Sequence, residues 1–124
     1  MRRSFVCAVS GAGLGLRHEF VRDAAEGSLP GVDFLEVAPE NWMRIGGALG
    51  KSFRSISERY PLVCHGLSLS IGGPTPLDLG FLRELKGFLD LHGARAYTEH
   101  LSYCSDQGQL YDLMPIPFTA AAVR

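Results

Sequence analysis

Short apolar runs alternate with stretches of helical periodicity along the chain, the pattern of βα units feeding a parallel sheet. A first strand is expected within residues 5–16. A helix over 19–26 follows, with Phe20, Ala24 and Ala25 on one face, ended by Gly27 and Pro30-Gly31. A second strand covers 32–37 and is broken by Pro39. Leu49, Phe53, Ile56 and Tyr60 recur at helical spacing and predict a helix over 48–60, closed by Pro61. The third strand is 62–65, followed by a Gly/Ser/Pro-rich loop to Pro76. Thr75 as cap, Pro76 in the first helical position and Asp78 three residues after Thr75 predict the start of a third helix. Leu82, Leu85 and Leu89 form its stripe, helped by Phe81 and Phe88, and Gly93 stops it. The fourth strand is 96–101. A polar turn over 105–109 precedes a segment at 112–117, and Thr119 caps a fourth helix from Ala120. The pattern is therefore α/β, with about four parallel strands and intervening helices, and no linker divides residues 1–124.

Composition narrows the partners. A net charge of −1 offers no strongly basic face, so a nucleic-acid partner is not expected. No stretch is long and apolar enough to span a membrane. Arg2 and Arg3 precede an apolar run, but glycine and serine interrupt it and no small-residue cleavage site follows, unlike a secretory signal. The cysteines are Cys7, Cys64 and Cys104. They include no CxxC pair, which argues against a zinc knuckle or redox dithiol and favours a reducing, cytoplasmic setting.

Chemistry-bearing residues collect where the strands end, and parallel α/β folds bind ligands beyond those carboxyl ends. Strand two ends in Glu36-Val37-Ala38-Pro39-Glu40-Asn41, strand three in His65-Gly66, and strand four carries Glu99-His100. Imidazole and carboxylate together suit iron, manganese or zinc. His65 alone reads equally well as a core histidine satisfied by a neighbour. His100, at a matching height, tips the balance toward a metal site. Glu99 and His100 are adjacent and face opposite sides of a regular strand. His100 is the better ligand, and Glu99 the supporting or packing contact. Glu36 is either a site residue or the partner of an arginine such as Arg17. Glu40 and Asn41, at the strand-to-loop junction, are candidate ligands, substrate contacts or helix caps. His18 and His92 fall at helical segments and read as surface residues. Cys64 should point into the strand–helix layer, while Cys104 is a candidate for exposure. Gly11-Ala12-Gly13-Leu14-Gly15 lacks the spacing of a phosphate cradle and reads better as close strand packing.

Several segments together match a known family. They are Gly13-Leu14-Gly15-Leu16-Arg17, Phe34-Leu35-Glu36-Val37-Ala38-Pro39-Glu40-Asn41, His65-Gly66-Leu67-Ser68-Leu69-Ser70-Ile71-Gly72, Glu99-His100-Leu101-Ser102 and Asp112-Leu113-Met114-Pro115-Ile116-Pro117-Phe118-Thr119. The chain resembles the multinuclear non-haem iron-dependent oxidative enzymes, the family of the methanobactin-biosynthesis oxidase. The resemblance runs over almost the whole chain, and the His65 and Glu99-His100 segments are its specific parts. It implies a TIM-type (β/α) barrel holding two or three iron ions. It implies dioxygen-dependent modification of cysteine or related residues in a ribosomally made precursor peptide, often with a small partner protein that grips the peptide's leader. His65 and His100 match iron ligands of the family, whose further carboxylate and histidine ligands come from later strands.

A barrel of this kind runs to roughly 250 residues, and this chain has 124. It corresponds to the N-terminal half of such a barrel, so the expected activity belongs to a full-length parent. Two other classes stay open at this point. One is a divalent-metal isomerase or hydrolase on the same architecture, since fold does not fix function. The other is an inactive fragment or a half-barrel interaction module. A half barrel leaves strand edges open, so self-association of the chain is expected.

Overall fold

The computed structural model describes residues 8–106 and 109–123. Residues 5–7 of the expected first strand, Cys7 among them, and residues 107–108 of the expected polar turn lie outside the described residues. The elements in chain order are β1 (Gly13–Gly15), α1 (Val21–Glu26), β2 (Phe34–Val37), α2 (Gly47–Arg59), β3 (Leu62–His65), α3 (Leu79–Leu91), β4 (Ala96–Thr98), β5 (Ser102–Asp106) and β6 (Gln109–Pro115). Strands β1 to β4 form one parallel sheet in the order β1-β2-β3-β4. With a helix after each of the first three strands, this is the α/β arrangement of half a TIM-type barrel.

Strand alternation divides the sheet's two faces. Leu35 and Val37 of β2 and Leu62 and Cys64 of β3 are buried in one core with Val21 and Ala24 of α1, Phe53 and Ile56 of α2, and Phe88 of α3. Each such large side chain removed from water contributes about 1.5–3 kcal/mol before entropy is counted. Trp42 stacks on Phe53 at 4.5 Å, and Phe53 on Phe88 at 5.6 Å, carrying the core across the helices. The other face carries Gly13, Phe34, Glu36, Val63, His65 and Thr98, as the register requires. Phe34 lies where a side chain at Gly13 would be, so close packing accounts for that glycine. Gly11 adopts φ 92° beside Asp33, whose carboxylate accepts from the Ala12 amide at 2.8 Å.

Several expected boundaries move, each for a local reason. Helix α3 starts at Leu79, not at Pro76, because the Asp78 carboxylate caps it by accepting from Gly80 N at 2.8 Å and Phe81 N at 3.0 Å. Its buried face centres on Leu85 and Phe88, with Leu82 and Leu89 half-buried. The buried face of α1 is Val21 and Ala24, and Phe20 belongs to a 3-10 turn before it. Strand β4 ends at Thr98, not residue 101, because Glu99 bonds the next amide, His100 N, at 2.8 Å and draws the chain off the ladder. Residues 105, 106 and 109 of the expected polar turn belong instead to the strands of an antiparallel hairpin, β5–β6, with an irregularity between Tyr103 and Ser105. Ala120–Val123 is a 3-10 turn, and Thr119 Oγ1 accepts from Ala122 N at 3.3 Å.

His92 is half-buried, not a free surface residue. Its Nδ1 lies 2.9 Å from Ser57 Oγ, and its ring meets the Phe53 ring edge-on at 4.8 Å. Burial, with the nearby Arg54 charge, lowers its pKa from 6.5. The unfolded chain therefore takes up this proton at higher pH than the folded one. The stability that neutral His92 contributes is complete above about 6.5 and is lost as pH falls through the lowered folded value. Denaturant unfolding at neutral and mildly acidic pH should show a smaller acid loss for His92→Gln than for the parent. Equal losses would exclude His92 as the source.

The edges at β1 and β4 have no further strand of the sheet beside them among the described residues. Leu101, Ile71 and Phe118 are exposed near the strand ends, Phe118 fully. Open edges next to apolar side chains favour association. Sedimentation of the 124-residue chain should show oligomers growing with concentration. A monomer at high concentration that unfolds cooperatively would contradict this.

Candidate metal centre

Strand β3 delivers His65 to the face opposite the helices, because Leu62 and Cys64 take the core positions. Thr98 stands opposite His65 in the β3–β4 register, and its Oγ1 lies 2.8 Å from His65 Nδ1. Two residues on, His100 turns its Nε2 to within 3.3 Å of His65 Nε2, with the rings 4.4 Å apart between centroids. His100 Nδ1 lies 3.2 Å from the Gly66 carbonyl and 3.4 Å from Glu99 Oε1. The two imidazoles thus meet edge-on with their Nε2 atoms close, each held on its Nδ1 side.

Carboxylates fasten the loop that follows β3. Glu40, in the Pro39–Asn41 3-10 turn, accepts through Oε1 from Leu67 N at 2.8 Å, Ser68 N at 3.1 Å and Ser68 Oγ at 3.2 Å. Its Oε2 is buried without a hydrogen-bond partner among the described residues. Glu99, with a side chain only 5 % exposed, accepts from Leu69 N at 3.3 Å, Tyr97 OH at 2.8 Å and His100 N at 2.8 Å. Burial and the bond to Glu99 push the Tyr97 phenol well above its ordinary range, which keeps it a donor. Ser70 occupies the left-handed region at φ 56°, and its hydroxyl accepts from Cys104 N and Ser105 N at 3.0 and 3.3 Å. The loop is thereby tied to β2, β4 and β5 together.

The other candidates fall elsewhere. Glu36 shares the His65 face, one register row deeper, beside Val63 and Gly15. It is exposed and makes no ion pair among the described residues, so the Arg17 pairing is not found. Asn41 is exposed at the end of β2. Cys64 is fully buried in the strand–helix core, where burial and then Glu40 raise its thiol to about 11. Cys104 is buried as well, at 4 % exposure, contrary to the exposed position considered for it, because β5 packs it under Leu67 with Sγ 3.8 Å from that carbonyl. His18 is exposed and stacks on Trp42.

Two imidazole nitrogens about 2.0–2.1 Å from a shared ion at a near-tetrahedral angle stand about 3.3 Å apart. The two Nε2 atoms have that separation. A carbonyl only accepts, so the Gly66 contact puts the hydrogen of neutral His100 on Nδ1 and leaves a lone pair on Nε2. Their separation suits two positions of a metal's shell, and the edge-on approach means that a ring must turn to bring both lone pairs onto a shared ion. No group of three or more His, Cys, Asp or Glu side chains converges among the described residues, so the remaining positions are not filled here.

Reading the sequence singled out His65, His100, Glu40 and Glu99 but missed Thr98, Tyr97, Ser70 and the Gly66 carbonyl. Thr98 was within reach, since the strand expected over 96–101 puts it on the same face as His100. Ser70 gave no signal, because nothing in sequence marks a serine at positive φ.

The chain is similar to several known proteins. A UPF0276 protein of Pseudomonas aeruginosa strain UCBPP-PA14 is 59% identical over 124 residues, all of this chain and 43% of its own length. A UPF0276 protein of Alcanivorax borkumensis is 61% identical over 121 residues, 93% of this chain and 40% of its own length. One from Shewanella oneidensis is 60% identical over 112 residues, 90% of this chain and 40% of its own length. The chain therefore spans about two-fifths of the length of these relatives. The model of the family described as RiPP precursor modification enzyme MbnB/TglH/ChrH matches residues 11–124, and the chain belongs to that family.

Proposed function

We propose that a full-length protein containing this chain oxidatively modifies cysteine or a related residue of a ribosomally made precursor peptide, using iron and dioxygen. The observation that carries this reading is the convergence of His65 Nε2 and His100 Nε2 to 3.3 Å at the carboxyl ends of β3 and β4, in a chain of a peptide-modifying family. Neutral imidazoles supply two nitrogen donors, and carboxylate or imidazole ligands from the rest of the barrel would complete a set suited to iron. Bound iron would supply dioxygen activation and a seat for a thiolate.

The chain's own residues have separable tasks in this scheme. His65 and His100 hold the metal. Gly66, through its carbonyl, and Glu99 fix the ring of His100. Glu40 and Glu99 hold the loop after β3 by its amides, keeping the His65-Gly66 junction in place. Glu36 and Asn41, exposed on the same face and rim, are placed to meet substrate or later ligands. Neither Cys64 nor Cys104 takes part, since both are buried by packing. The precursor peptide is the substrate, a small leader-binding protein is the expected second partner, and the cytoplasm is the expected setting. No described helix is long and apolar enough to cross a membrane.

The test is to incubate the full-length protein with ferrous iron, air and a cysteine-bearing precursor peptide encoded beside it. A change in peptide mass that requires both iron and dioxygen is expected. A protein that carries zinc or manganese and leaves the peptide untouched in air would contradict the oxidase reading.

A further inference from the structure

Resting on that reading, the geometry points to Thr98 as a positioning residue whose hydroxyl lets His65 present its Nε2 lone pair to a metal without losing a proton. His100 is already set, because its Nδ1 hydrogen is directed at the Gly66 carbonyl, an acceptor only, with the Glu99 carboxylate 3.4 Å away. Its Nε2 therefore carries a lone pair and lies 3.3 Å from His65 Nε2, with the rings meeting edge-on. With no cation between them, the hydrogen in the 3.3 Å contact comes from His65, which carries it on Nε2, since His100 holds its own on Nδ1. Its Nδ1 is then the acceptor, and Thr98 donates its hydroxyl hydrogen across the 2.8 Å contact.

A metal between the two rings requires the opposite arrangement. Both Nε2 atoms must offer lone pairs, so the hydrogen of His65 moves to Nδ1. A hydroxyl both donates and accepts. Thr98 meets this change by rotating its own hydrogen away and accepting from His65 Nδ1. The ring gains one hydrogen at Nδ1 and loses one at Nε2, so its charge is unchanged. A backbone carbonyl in this place would hold only the second arrangement and leave the two lone pairs opposed whenever the metal is absent. An apolar side chain would give Nδ1 no protein partner in either. The β3–β4 register places Thr98 directly opposite His65, so the pairing is built by the sheet and not by a mobile loop.

Cobalt(II) titration of the full-length protein, followed by its visible bands, tests this with a readout independent of turnover. Thr98→Val keeps the side chain's shape and its suitability for a strand. It should weaken cobalt binding roughly ten- to a hundredfold, the usual cost of losing the partner of a metal-bound histidine, and alter the bands. Thr98→Ser should restore both. If Thr98→Val binds cobalt as tightly as the parent while His65→Ala does not, the role of Thr98 is overturned and the metal centre stands. If His65→Ala also binds cobalt unchanged, the metal centre falls and the role of Thr98 with it. Failure of Thr98→Ser to restore binding would also overturn the role, since packing and not the hydroxyl would then be at issue.

Discussion

Gly66→Ala should destabilise the protein by about 2–4 kcal/mol and scatter the histidine pair, although it adds one methyl group. A β-carbon at this position runs into Glu99 Oε2 and the Tyr97 hydroxyl. Neither can step aside freely. Tyr97 packs against the core, and its hydroxyl is bonded to the same carboxylate at 2.8 Å. Glu99 holds three donors in a nearly buried position. Displacing it leaves a carboxylate short of partners and frees Leu69 N and His100 N. The loss therefore combines overpacking with broken charge-assisted hydrogen bonds. The Gly66 amide, bonded to Thr98 O at 2.8 Å, and the Gly66 carbonyl, against His100 Nδ1, would shift together. Chemical denaturation of the parent and Gly66→Ala measures the effect. A variant as stable as the parent would show that the carboxylate has room to move.

The sheet was legible in the sequence because its strands carry simple signals. Leu62-Val63-Cys64-His65 is flanked by Pro61 and Gly66, and β3 has those bounds. Helix α2 followed from Leu49, Phe53, Ile56 and Tyr60, since a helix with one buried stripe must repeat every three or four residues. The hairpin was not legible. Ser102, Ser105 and Asp106 interrupt its apolar alternation, and the irregularity near Cys104 shifts the register that alternation would reveal. At the site, the two histidines were legible as residue types at strand ends. Their orientation was not, because it depends on Thr98 Oγ1 and the Gly66 carbonyl, which are brought there by pairing between distant segments. Glu40 was seen as a junction residue. Its grip on the Leu67 and Ser68 amides needed the three-dimensional loop.

His65→Ala and His100→Ala in the full-length protein should each abolish peptide oxidation while leaving the fold intact. Both rings are outside the helix-facing core, whose stability rests on residues such as Leu35, Ile56 and Leu62. Each removal takes one of the two nitrogens that converge here, and the survivor alone is a poor anchor. In the 124-residue chain the same pair should hold iron weakly or not at all, because two donors do not complete a shell and no third converges among the described residues. The most direct measurement is iron per polypeptide in the full-length protein and its two alanine variants, with folding checked by circular dichroism. The predicted result is two or more irons in the parent and a marked loss in each variant. Unchanged iron in both variants would contradict the metal centre and leave His65 and His100 as a histidine pair satisfied by each other.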